Sequence, residues 1–422
     1  MRENYINDRL GPRLSIIHPS GRYFYTVNWD RNSLSVYEVH PETGALSSVE
    51  GSPFPTEKHP RAVTGDAAGN YVYVVNWDSH SVSGFNVDPS TGSVRPIRGS
   101  PFATGLRPRN VRLHSSGRFA FVSNRDSGDI SIFVVQSETG ALVPAVVSRV
   151  LAGPRPRYTF LDLQGRYAYA AHQGARTLSA YAVDQFTGQL RPVPGAPIAV
   201  GLDPRSVLVD LTGRFVYVVN RGSGDVVAFV IHPQDGSLAA VPGSPFKVGR
   251  RPFGMHLHSN GKFAYVANSR TNDISGFSID PDSGSLLSLP GSPFVAGVNP
   301  VWPVFHPSGK FLYVNNYKSN DISGYTIDQA TGLLQGVPGS PFHSGTRWLP
   351  KTHPREPLID PSGRFLYAVN RPVDSVSAYE IDGETGRLAP MAGSPFRSDA
   401  FPRIMSWKSK LLSRIKLQLN AQ

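Results

Sequence analysis

One unit of 48 residues is written eight times along this chain, and that period constrains the fold more than any other feature. The glycine of an S-G-R/K-like turn stands at Gly21, Gly69, Gly117, Gly165, Gly213, Gly261 and Gly309, then at Gly363 after a six-residue insertion. Aromatic residues follow two and four places later, as Tyr23 and Tyr25 in the first copy and Phe263 and Tyr265 in the sixth. A second turn closes on Gly44, Gly92, Gly140, Gly188, Gly236, Gly284, Gly332 and Gly386. Fixed periods of this length mark repeat architectures, so the 422 residues need not be cut into ordinary domains.

Each copy reads as four short strands. In the fifth they are expected at Ser206–Asp210, Phe215–Asn220, Val226–Ile231 and Leu238–Val241, with Gly, Pro, Asn and Asp at their ends. Four-stranded antiparallel units repeated in this way close into a β-propeller. Helical solenoids need longer segments of period 3.6, and none precedes Lys408. The fold class is therefore all-β, one propeller over residues 11–396, with eight blades favoured. The later FPRIMSW keeps a seven-bladed ring with a surplus unit as the alternative. Residues 397–422 read as a basic tail in which Leu411, Leu412, Ile415 and Leu419 follow the spacing of a short helix.

The tetrapeptide GSPF recurs from Gly51, Gly99, Gly243, Gly291, Gly339 and Gly393, and weakens to Gly195-Ala196-Pro197-Ile198. It follows the fourth, outermost strand. A proline there cannot donate to a ladder, so GSPF is expected to stop the strand and blunt its edge. The phenylalanine is expected to tuck between blades.

Lys and Arg number 42 against 31 Asp and Glu, a formal charge of +11 that favours anionic partners. Only 17% of residues are charged, and no basic block precedes the last fifteen, which excludes a binder of nucleic acid built on a dense basic stripe. The absence of cysteine excludes disulfides and thiol catalysis. No stretch is long and apolar enough for a membrane span. The polar N-terminus lacks a signal-like apolar run, so the chain as written reads as cytoplasmic, or as periplasmic or secreted if the true start lies further upstream. A monomer without cofactor or metal is expected.

Blade connectivity puts the loop between strands two and three on the same face, the top, as the crossing into the next blade. Nine residues before each first-turn glycine stands a proline, and the residue after it opens the innermost strand there. That residue is Arg13, Arg61, Arg109, Arg157, Arg205 and Arg355 in six copies, and Phe253 and Val301 in two. Two readings are open for this incomplete ring: pairing with Asp129, Asp225, Asp273 or Asp321 to pin the blades, or binding an anion. The top loops also carry Asn28-Trp29, Asn76-Trp77, Asn124-Arg125, Asn220-Arg221, Asn316-Tyr317 and Asn370-Arg371. The repeated Asn reads as a turn former bonded to nearby backbone, and its variable neighbour as the ligand candidate. The insertion brings Arg347, Trp348, Lys351 and His353 to the same face. A position that alternates His18, His114, His258 and His306 with Asp66, Asp162, Asp210 and Asp360 reads as a stabiliser of turns. No G-x-S-x-G, P-loop or H-E-x-x-H motif is present.

GPRPRYTFLDLQGRYAYAAHQGARTLSAY, from Gly153, and GRFVYVVNRGSGDVVAF, from Gly213, resemble stretches of the bacterial lactonase family of seven-bladed propellers. That family includes phosphogluconolactonase and cycloisomerase-like relatives, and the repeats also resemble those of YVTN-type propellers. The resemblance implies roles for Arg157, in the family's P-R-H, and for Arg221, in its N-R-G. The family's His falls on Tyr158, its Asn on His172 and its Glu on Gln173. Two functions follow as expectations. The first is a non-catalytic scaffold whose arginine-rich top opening takes an anionic small molecule, a glycan or a protein. The alternative is a lactone-ring hydrolase with a rearranged site built on Arg157, His172 and Arg221, acting on a sugar lactone.

Overall fold

The computed structural model describes residues 12–344, 354–370 and 375–397, with side chains at 12–14 and 354–356 left out. Eight antiparallel sheets follow one another along the chain. Their innermost strands are Pro12–Ile17, Pro60–Gly65, Pro108–Leu113, Pro156–Leu161, Pro204–Val209, Pro252–Leu257, Pro300–Phe305 and Pro354–Ile359. Each adjoins the next, and the eighth adjoins the first, so the ring closes with eight blades. Each innermost strand opens on proline, a residue tolerated at a strand's first position because no ladder donor is needed there. Among the described residues no helix is long and apolar enough to cross a membrane.

The core is divided among the joints between blades. Among the described residues there are eight apolar clusters, and each draws residues from two adjacent blades. The one that closes the ring joins Phe24, Tyr37 and Leu46 to Phe365, Tyr367 and Val376. Among the described residues every blade is one contiguous stretch of chain, and side-chain packing and hydrogen bonds, with no exchanged strand, hold the first blade to the last.

The two periodic signals of the sequence meet at these joints. The first aromatic of one blade packs on the second-turn glycine of the next: Tyr23 on Gly92, Phe119 on Gly188, Phe263 on Gly332, and Phe365 on Gly44 across the closure. The second aromatic adds a hydrogen bond to the same turn. Tyr265 Oη donates to the Gly332 carbonyl at 2.7 Å, as Tyr73, Tyr217, Tyr313 and Tyr367 do at their own joints. Tyr169 is equally buried, but its hydroxyl has no partner among the described residues. Tyr265→Phe is therefore expected to cost about 1–2 kcal/mol in denaturant unfolding, because it orphans a buried carbonyl. Tyr169→Phe should be neutral or slightly stabilising, and equal effects would refute this account.

GSPF behaves differently from the expectation. The outer strand does not stop at it; it resumes. In blade 5, Leu238–Ala240 pairs with the third strand, Asp225–Ile231, and Phe246–Lys247 pairs with it again beyond the tetrapeptide. Between the two pieces the serine takes over the ladder: Ala228 N–H donates to Ser244 Oγ at 3.0 Å. Val36, Gly84, Gly276, Gly324 and Ala378 donate in the same way to Ser52, Ser100, Ser292, Ser340 and Ser394. GSPF is a bulge that detours the edge strand, with the serine filling the missing acceptor. Its phenylalanine does pack at the joint, as Phe102 shows. Blade 3 lacks the tetrapeptide, and its outer strand runs as Leu142–Leu151 with an irregular register.

The alternating His/Asp position stabilises turns in two ways. Asp210 accepts the Phe215 N–H at 2.7 Å within its own blade. His18, His114, His258 and His306 instead reach the turn carbonyls of Gly69, Gly165, Gly309 and Gly363 in the following blade.

Candidate functional site

The top of each inner strand is set by a local backbone device. The residue before the opening proline takes a left-handed conformation: His59 (φ 55°), Arg107 (52°), Arg155 (56°), Asp203 (50°), Arg251 (54°) and Asn299 (64°). Its carbonyl accepts the N–H of the residue after the strand-two Asn, as in Trp77 to His59 at 3.0 Å and Arg221 to Asp203 at 2.9 Å. On these six blades two variable side chains therefore stand side by side on the rim. The sequence reading found one member of each pair and missed the other. The available signal was variation at a fixed place, since the residue before each proline changes while the proline does not.

The strand-two Asn is a clamp between side chains, which corrects its reading as a former of backbone turns. Asn124 Nδ2 donates to Asp129 Oδ1 at 2.6 Å and to Ser131 Oγ at 2.8 Å, and Asn316 does the same with Asp321 and Ser323. Asp225 and Asp273 are held by Asn220 and Asn268. The aspartates named as partners for the arginine ring are thus bound into the clamp.

His172 takes the Asn place in blade 4. It is fully buried, and its Nε2 lies 2.8 Å from Ser179 Oγ, whose proton goes to the Ala152 carbonyl at 2.8 Å. Nε2 must therefore donate, which leaves Nδ1 a buried acceptor without a partner among the described residues. Burial drives the pKa of this imidazole down from its ordinary value to about 4. His172 shares no hydrogen bond with Arg157 or Arg221.

Four of the predicted arginines lie on consecutive blades. Arg61 is half-buried, and Arg109, Arg157 and Arg205 are buried. Each guanidinium is seated on an aromatic ring. Arg61 is 4.7 Å from the centroid of Trp77, Arg109 and Arg157 are each 5.7 Å from that of Tyr158, and Arg205 is 3.3 Å from Phe253. Phe253, which interrupts the arginine ring, is the seat of its neighbour. Beyond it the wall turns apolar, with Trp302 edge-on to Phe253 at 5.6 Å and 6.2 Å from His256, whose pKa burial also lowers to about 4. The opening joins a cationic arc on blades 2–5 to an aromatic face on blades 6–7. Arg221 stands on the rim in an ion pair with Asp203 at 3.1 Å. Arg347, Trp348, Lys351, His353, Arg371 and residues 398–422 lie outside the described residues, as do the side chains of Arg13 and Arg355.

The sequence matches the family model described as Lactonase, 7-bladed beta-propeller, over residues 12–105, 159–251, 240–346 and 304–401. No curated protein matches it. A putative 6-phosphogluconolactonase from Bacteroides uniformis superimposes with a TM-score of 0.58 at 22% identity, over 74% of this chain and 92% of its own. The Pseudomonas aeruginosa periplasmic gluconolactonase PpgL does so at 0.57 and 22%, over 73% and 93%. A dihydro-heme d1 dehydrogenase, NirN, gives 0.61 at 15%, over 90% of this chain and 75% of that one. At these identities the likenesses speak to fold alone. The two gluconolactonase-type structures are nearly exhausted by three quarters of this chain, as an additional blade requires. By its family match over most of its length, this chain belongs to the lactonase family of β-propellers, and it builds that fold with eight blades.

Proposed function

We propose that this propeller hydrolyses the lactone ring of a sugar acid at the top opening of its channel, which places the enzymatic alternative ahead of the scaffold. The observation that carries the reading is the arc of Arg61, Arg109, Arg157 and Arg205 on four consecutive inner strands, three of them buried. Family membership supports it, as do the names of the similar structures, a putative 6-phosphogluconolactonase and a periplasmic gluconolactonase. Hydrolysis adds water to the lactone carbonyl, breaks the ring C–O bond and leaves a hydroxy acid. Negative charge develops on the carbonyl oxygen, and cations fixed in a poorly solvated opening stabilise it more than solvent does. The same arc suits a phosphate or carboxylate carried elsewhere on the substrate.

The test is proton release in a pH-stat with glucono-1,5-lactone and its 6-phosphate, corrected for spontaneous ring opening. The wild-type protein is expected to accelerate one of them. Arg157→Ala should lower kcat/KM on the order of 10²-fold, by analogy with loss of one oxyanion donor. Wild-type rates equal to the spontaneous rate on both lactones would overturn the proposal. Saturable gluconate binding without turnover would return the scaffold reading.

A further inference from the structure

On blade 2 His59 also meets Asp78, one residue beyond its rim neighbour Trp77. His59 Nδ1 lies in a short hydrogen bond with Asp78 Oδ2, so the neutral ring donates from Nδ1 and leaves Nε2 as its basic atom. The ring stacks on Trp29, with centroids 4.8 Å apart and planes 21° apart, which fixes its orientation. Both members stay open to solvent, His59 at 34% and Asp78 at 35% side-chain exposure. Blade 3 fills the same two places with Arg107 and Asp126, and blade 5 pairs Asp203 with Arg221. Those ion pairs staple the rim, and neither contains an imidazole. Blade 2 alone puts an imidazole there among the described pairs, with a carboxylate behind it and an aromatic floor beneath it.

We propose that His59, oriented by Asp78, is the general base of this propeller, an inference that rests on the lactonase reading above. His59 stands two residues before Arg61, at one end of the cationic arc. In the step proposed, Nε2 takes a proton from water as the oxygen bonds to the lactone carbonyl carbon. The tetrahedral intermediate then expels the ring oxygen, and the proton on Nε2 passes to that oxygen to give the hydroxy acid. His59 thus acts as base and then as acid, and ends neutral. Asp78 is a positioning residue that holds the tautomer and steadies the imidazolium formed in between. Arg61, Arg107 and Arg125 surround the adjoining Trp77, with guanidiniums 4.7, 5.9 and 5.7 Å from its centroid, and supply the positive field. The charged groups about the dyad are Arg107, whose Nε is 3.7 Å from Asp78, Asp126 beyond it, and Glu57 through Ser79.

The informative variant is His59→Gly. The backbone φ of 55° at this position suits glycine, so the fold should survive with little change in melting temperature. The lost side chain leaves an imidazole-sized space beside Asp78 and Trp29. With glucono-1,5-lactone as substrate, kcat is expected to fall on the order of 10²- to 10⁴-fold and to recover in part when free imidazole is added. Asp78→Asn should lower kcat more than it changes KM and should displace the acid limb of the pH–rate profile. A wild-type protein that is active, with a folded His59→Gly variant that retains wild-type kcat, overturns this inference alone. A wild-type protein without activity on any lactone overturns the lactonase reading and this inference together.

Discussion

Gly188→Ala should destabilise the propeller by about 2–5 kcal/mol, measured as the shift in denaturant unfolding. Two terms contribute. The backbone at Gly188 has φ 72°, which costs an L-residue with a Cβ about 1–2 kcal/mol. The new Cβ would also sit 2.6 Å from Phe119 Cδ1, far inside carbon–carbon contact distance, and relieving that overlap in a packed joint costs about 1–3 kcal/mol. Gly261→Ala separates the terms. Its φ is also 72°, yet nothing lies within 4 Å of the added Cβ, so only the backbone cost of about 1–2 kcal/mol remains. Equal losses in the two variants would show that the joint between blades 3 and 4 yields freely, and that the packing of Phe119 on Gly188 does not require a glycine there.

That contrast also marks what was legible in the sequence. Glycine at two phases and aromatics at two gave the blade, its turns and the number of repeats, because turn geometry and core packing each demand a narrow set of residues. Phe215–Asn220 was placed to the residue, since an unbroken apolar run from Phe215 to Val219 ends on the repeated Asn220. The detour at GSPF was not legible. A two-residue strand such as Phe246–Lys247 is too short to show alternation, and its pairing is visible only against the third strand. The Asn clamp escaped for a related reason. Asn124 meets Asp129 and Ser131 five and seven residues away, across a hairpin whose register the sequence leaves open.

At the candidate site the same division holds. The arginines after each proline were visible because they share one phase of the repeat, and Arg61, Arg109, Arg157 and Arg205 do stand at the openings of consecutive inner strands. Their aromatic seats were not visible, because Tyr158 serves arginines on two blades and Phe253 looked only like a break in the ring. His59 and Asp78 are 19 residues apart and meet through the bulged pairing of two strands. His172 was singled out only through the family resemblance, as the residue that stands where the family has Asn. Its burial and its bond to Ser179 put it in the place that Asn holds in the clamp.

His172 should make the propeller sensitive to mild acid, and His172→Asn should remove part of that sensitivity. The folded imidazole has its pKa lowered to about 4 by burial, against an ordinary value near 6.5 in the unfolded chain. Above pH 6.5 the ring is neutral in both states and linkage contributes nothing. As pH falls below 6.5, the unfolded state binds a proton that the folded state refuses, so stability declines until pH approaches 4. The full window spans about 2.5 pKa units, or roughly 3 kcal/mol for this one residue. Asn does not titrate, and it is the residue used at this place in the other seven blades, where its Nδ2 bonds the third strand. The measurement is unfolding free energy at pH 7.5 and pH 5 for both proteins. The wild type should lose about 2 kcal/mol more than the variant across that interval, because pH 5 lies 1.5 units below the unfolded value. His256, left in place, keeps a residual acid dependence in both proteins and cancels in the difference. Identical pH dependence in the two would mean that the imidazole of His172 accepts its proton in the folded state, and that the site is hydrated and open.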